Sequence, residues 1–81
     1  MFQKSLVLSH TDFRILLNDL LEVYSTDFNT DEITLEDYLK TELENLLESY
    51  EADSFILFIN NSVYDLDPSG LAYMMLDYLK Q

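Results

Sequence analysis

Apolar residues recur along most of this chain at helical spacing, with polar residues filling the positions between. The clearest case is Thr34 to Tyr50, TLEDYLKTELENLLESY. On a helical period Leu35, Leu39, Leu43, Leu46, Leu47 and Tyr50 fall on one face. Asp37, Thr41, Glu44 and Glu48 fall on the opposite face as an acidic row. Glu44 and Glu48 stand about 6 Å apart along the axis, close enough to repel. Within the helix the one base is Lys40, which can pair with Glu36 or Glu44. Thr34 and Asp37 have capping-box spacing, and Ile33 and Tyr38 occupy the staple positions. The stretch therefore predicts a helix with one face for a core and one negative face turned outward.

The same grammar opens an earlier helix. Ser9 and Asp12 form a capping box, and Leu8 and Phe13 sit at the staple positions. Phe13, Leu16, Leu17, Leu20, Leu21 and Tyr24 make its apolar stripe, with Val23 at the margin and Ile15 on the far side. The pattern breaks over Ser25 to Thr30. Before this helix, Met1 to Leu8 alternates weakly, as a short strand does. After the acidic helix, residues 55–59 read FILFI, a β-rich run too short for a helix and expected to be a buried strand. Asn60-Asn61 suits a tight turn, because Asn tolerates positive φ, and Ser62 to Leu66 can return as a second strand. Asp67 as N-cap and Pro68 at the first helical position open a third helix. Its inward residues are Leu71, Met75, Tyr78 and Leu79, while Tyr73 points away and Lys80 suits the negative end of the dipole. The expected fold is α+β, three helices with a small β-hairpin or short sheet; the alternative is an all-α helical bundle.

Composition narrows the class. At 81 residues the chain makes one domain, residues 1–81, with a modest core. Its 48% hydrophobic content is ample for packing, so the chain is not read as disordered. One Gly and one Pro leave no room for a flexible linker. Lacking Cys, it has no disulfide framework, thiol nucleophile or thiolate metal site, which fits a reducing cytoplasm. The N-terminal apolar run is too short for a signal peptide, and no stretch approaches the ~20 apolar residues of a membrane span. The expected location is the cytoplasm, that of the host cell if a phage encodes the protein.

Charge changes the picture most. Sixteen acids against four bases give a formal net charge of −12. The bases Lys4, Arg14, Lys40 and Lys80 are scattered, so the counterion displacement that drives DNA, RNA or anionic-membrane binding is missing. Such a charge keeps a protein soluble, and it also steers association with a basic partner.

Candidate chemistry is sparse. Asp27, Asn29 and Asp31 match the first ligands of an EF-hand loop, but Glu32 stands where the turn needs Gly and Tyr38 where the bidentate Glu belongs. Asp65, Asp67, Ser69 and Gly70 give a second such start, interrupted by Pro68 and with Leu76 at position 12. The first reads as a polar loop leading to an N-cap and the second as a helix start, and neither a metal nor another cofactor is expected. With His10 the single histidine and no Cys, most nucleophile–base arrangements are closed off, and no enzyme activity is expected. Tyr24, Tyr38, Tyr50 and Tyr78 lie on or beside apolar stripes and belong to the core or its edge. Tyr64 and Tyr73 do not, and tyrosines at binding hot spots make these two the aromatic anchor candidates.

Several pieces resemble the colicin-type nuclease immunity proteins, small acidic bundles that block a basic nuclease domain. These are S-x-x-D-F at Ser9 to Phe13, the acidic second helix, the Asp-led apolar segment Asp53 to Phe58, and D-P-S-G at Asp67 to Gly70. The likeness implies partner recognition by Asp37, Glu44 and Glu48. It departs where that family presents two adjacent tyrosines: here the stretch reads FILF, with Phe58 the nearest aromatic. In size, acidity and lack of Cys the chain also resembles phage anti-CRISPR proteins and other DNA-mimic inhibitors, which offer carboxylates where a nuclease expects phosphates.

Two functions follow as expectations. In the first, the protein is an acidic inhibitor of a basic nucleic-acid-binding enzyme, such as a nuclease or CRISPR effector. Asp37, Glu44 and Glu48, helped by Glu36, Glu51 and Asp53, would meet the partner's Lys and Arg, with Tyr64 and Tyr73 as anchors. In the second it is a non-enzymatic scaffold or adaptor, acting through homodimerisation or a helical partner and using apolar surface such as Ile15, Tyr73 and Leu76.

Overall fold

The computed structural model describes residues 4–27 and 33–80. In chain order the elements are β1 (Ser5–Leu8), α1 (His10–Asp27), α2 (Leu35–Ser49), β2 (Ser54–Ile59), β3 (Ser62–Leu66) and α3 (Pro68–Leu79). The fold is α+β, three helices with a three-stranded sheet, and the all-helical alternative is excluded by that sheet. The same sheet departs from the bundle that the immunity-protein likeness implies: Ser54 to Phe58 lies in a strand.

Each helix start is written locally. The Ser9 amide donates to Asp12 Oδ2 at 3.1 Å, and the Asp12 amide donates to Ser9 Oγ at 3.0 Å, a reciprocal capping box. Thr34 Oγ1 accepts from the Asp37 amide at 3.2 Å, and Asp67 Oδ1 from the Gly70 amide at 2.7 Å. Helix α1 runs on through Ser25 and Thr26, past the expected break. Both hydroxyls donate back to the Glu22 carbonyl, a local bond that keeps polar residues within helical geometry.

The sheet order is β1-β2-β3, with β2 in the centre. β2 and β3 are antiparallel and joined at Asn60-Asn61, whose φ values of 51° and 62° meet the turn requirement read from the sequence. β1 pairs with β2 in parallel, Leu6 opposite Phe55 and Leu8 opposite Leu57. That pairing was not foreseen; parallel neighbours need a long crossover, which α1 and α2 supply.

All three helices lie over one face of the sheet. Leu8, Phe55 and Leu57 point into the core, where Phe13, Leu17, Tyr38, Leu39, Leu43, Leu71, Ala72 and Met75 meet them. α1 and α3 rest against the strands, and α2 packs chiefly on α3. Side chains alternate along a strand, so the other sheet face receives Val7, Ile56, Phe58 and Val63, and no described helix covers it.

That arrangement corrects three expectations. FILFI is not buried throughout: Phe55 and Leu57 are fully enclosed, whereas Phe58 is 46% exposed, because only one sheet face is packed. Tyr50 is exposed, since α2 ends at Ser49 and the chain turns away at its cap. Leu79 is exposed as well, lying at the last position of α3, and Ala72 takes a core place that the stripe had not assigned to it.

Candidate functional site

Asp37, Glu44 and Glu48 stand exposed on α2, opposite the buried Leu39 and Leu43. Backbone geometry at the end of α2 brings a further acid to this row. The Glu51 amide donates to the Glu48 carbonyl at 3.1 Å, and the Ala52 amide to the Leu47 carbonyl at 2.8 Å. With Glu51 at φ 54°, this is a Schellman cap, and buried Leu47 and Ala52 form its apolar contact. The reversal delivers Asp53 beside the helix, where its amide donates to the Lys4 carbonyl at 2.8 Å. Glu44, Glu48 and Asp53 thereby border one open hollow of about 420 Å³, backed by Leu47, Ala52 and Pro68.

Glu51 is itself exposed, and it occupies the position at which such caps favour Gly. A side chain in the left-handed region costs about 1–2 kcal/mol. The sequence reading had placed Glu51 near the row without recognising its backbone strain; the signal is the absence of Gly after a long apolar stripe.

The other site candidates lie apart from this hollow. Glu36 is half-buried and paired with Lys40 at 3.6 Å, the one ion pair among the described residues. Lys40 Nζ also stands 5.7 Å from the centre of the Tyr73 ring, within cation–π range. Glu36 and Tyr73 share a second hollow with Asp77 and Lys80, so a base already offsets the acid there. Tyr73 is 60% exposed, as its place off the stripe implied. Tyr64 pairs with Leu57 across the ladder and so stands on the covered face of the sheet, at its rim near His10 and Asp77. The acids of the row and the two tyrosines thus form no single patch.

A surface the sequence reading missed is the uncovered sheet face. Val7 is 58% exposed and Val63 61%, and both share that face with Ile56 and Phe58. Asp65 is its one acidic strand position. The acidic face of α2 and this apolar face both look away from the core that separates them.

Among the described residues no group of three His, Asp or Glu is placed to hold a metal ion. Asp67, from the second calcium-like stretch, spends its carboxylate on the α3 cap. The first such stretch falls largely outside the described residues, with Asn29, Asp31 and Glu32 among those not described. No described helix is long and apolar enough to cross a membrane. No protein-family model, curated protein or solved structure matches this chain.

Proposed function

We propose that the protein is an acidic inhibitor that occupies the basic nucleic-acid groove of an enzyme such as a nuclease or CRISPR effector, in the cytoplasm where that enzyme works. The observation that carries the reading is the row Asp37, Glu44 and Glu48, extended by Asp53 and Glu51 through the cap of α2. None of these five carboxylates has a basic partner among the described residues. Like charges on one face destabilise an isolated helix, and a charged side chain at φ 54° adds local cost. Costs that the fold does not recover are expected where a binding partner recovers them. Glu44 and Glu48 stand about 6 Å apart along the helix and Asp37 about 10 Å before Glu44, a line of negative charge of the kind a nucleic-acid backbone presents, and a net charge of −12 would steer encounter with a basic groove.

A pull-down from bacterial lysate at low and at high salt tests this. A nucleic-acid enzyme held at low salt, released at high salt and released by added nucleic acid supports it. Partners indifferent to both would refute it.

A second reading, a scaffold or adaptor acting through a second copy or a helical partner, is favoured by the uncovered face of Val7, Ile56, Phe58 and Val63. An apolar face of this kind supports contacts that added salt leaves intact.

A further inference from the structure

Where α1 begins, His10 meets the turn between β2 and β3 and the outer side of α3, and the three enclose a hollow of about 320 Å³. Tyr64 of β3 and Tyr78 of α3 line it, with Asn60 from the turn and Met74 and Asp77 from α3. Tyr78 is held edge-on against Phe13, ring centres 5.6 Å apart at 88°, and against His10 at 6.2 Å and 83°. Phe13 is fully buried, so the ring is braced by the core and does not depend on solvent to set its angle.

The lining selects a ligand by its chemistry. Aromatic rings and a thioether offer polarisable faces, and one carboxylate supplies a full negative charge. No Lys or Arg lines the hollow; Asp77 also borders the neighbouring hollow that holds Lys80, but makes no ion pair with it. The side chains of His10, Asn60, Tyr64, Asp77 and Tyr78 make no hydrogen bond or ion pair among the described residues, so their polar atoms are available. An anion would meet Asp77 unfavourably, and an apolar group would strip water from that carboxylate without replacing its hydrogen bonds. A planar cation satisfies both halves of the lining: its face stacks on tyrosine while its N–H groups fork onto the carboxylate. Ammonium is compact and strongly hydrated, and it offers neither the plane nor the fork.

We propose that this hollow is a guanidinium subsite that receives an arginine side chain of the basic partner. The inference rests on the proposed function for the source of the arginine, not for the chemistry of the site. It also gives Tyr64 a role apart from the acidic row: a second point of attachment, in a hollow that Glu44, Glu48 and Asp53 do not border.

The test is a titration of the isotope-labelled protein with N-acetylargininamide, read by amide chemical shifts, alongside the citrulline analogue, which keeps the shape and removes the charge. Saturable shifts at Asn60, Tyr64, Asp77 and Tyr78 are expected with the arginine compound alone. Asp77→Asn should weaken binding by about tenfold or more, the loss of a charged hydrogen-bond acceptor. Tyr64→Leu, which keeps bulk and removes the ring face, should weaken it several-fold. Both positions are exposed, and an otherwise unchanged spectrum of each variant shows that the fold is intact. Equal response to citrulline, or shifts spread without saturation over all acidic segments, would overturn the subsite. Capture of a basic partner by the wild type and not by Asp77→Asn assigns the guanidinium to that partner. Equal capture by both would overturn that assignment and leave a site for a free guanidino compound. Loss of the subsite with salt-sensitive capture intact would leave the proposed function standing.

Discussion

Phe58 and Val63 face each other across β2 and β3, on the side of the sheet that no described helix covers. Cross-strand pairs of this kind contribute about 0.2–1 kcal/mol, so their exposure is not explained by what they add to the fold. Val63→Thr is expected to change stability in urea by less than about 0.5 kcal/mol, as surface substitutions usually do. If the adaptor reading holds, the same change weakens self-association or partner binding, measured by sedimentation. A large loss of stability would show that this face is packed.

The Schellman cap gives a prediction of opposite sign. Glu51→Gly relieves a left-handed residue at the position where Gly is preferred, and should stabilise the protein by about 1 kcal/mol in denaturant. If Glu51 serves the acidic surface, the same variant binds the basic partner less tightly. Stability and function would then trade against each other at one residue.

Gly70 is the contrasting case. In the first turn of α3, Gly→Ala ordinarily gains about 1 kcal/mol from helix propensity. Here a Cβ would lie 3.1 Å from Asp67 Oδ1 and 3.2 Å from Leu66 Cδ2. Asp67 cannot retreat without lengthening the 2.7 Å cap bond to the Gly70 amide. Gly70→Ala is therefore expected to yield no gain, and Asp67→Ala to cost about 1 kcal/mol. Thermal melts of the two variants check both values.

Core and edge should separate sharply. Phe55 is fully buried and central in the sheet, so Phe55→Ala should cost about 3–5 kcal/mol. A chain of this size has about 4–12 kcal/mol in total, which leaves that variant marginal or unfolded by circular dichroism. Tyr50→Ala, at an exposed cap, should be nearly neutral.

The helices were legible because their signals are local. Capping residues, staple positions and a 3.6-residue period sit within a few positions of one another, and Ser9, Thr34 and Asp67 all cap as read. The Asn60-Asn61 turn was legible for the same reason. What escaped were relations between distant segments. The parallel pairing of Leu6 with Phe55 spans the whole crossover, and no local pattern announces it. FILFI could not declare how many of its faces were covered, because a run of apolar residues looks alike whether one side or both are packed. The acidic row was legible on α2 by periodicity, yet Asp53 joins it through a chain reversal at a non-glycine residue, which the sequence disguises. Tyr73 is exposed, as its place off the α3 stripe implied, whereas Tyr64 stands on the covered face of the sheet opposite Leu57, and only the fold sets the two in separate, adjoining hollows.

The central claim is that the acids of α2 stand in for nucleic acid, and competition tests it most directly. Fluorescently labelled nucleic acid is bound to the enzyme that the protein captures, and its release is followed by anisotropy as the protein is added. The account predicts full displacement by the wild type, weakened as salt rises. It predicts little or none by Glu44→Lys/Glu48→Lys, a change at two exposed positions whose unaltered circular dichroism spectrum is the control for folding. A complex in which the nucleic acid stays bound, or displacement undiminished in the double variant, would contradict it.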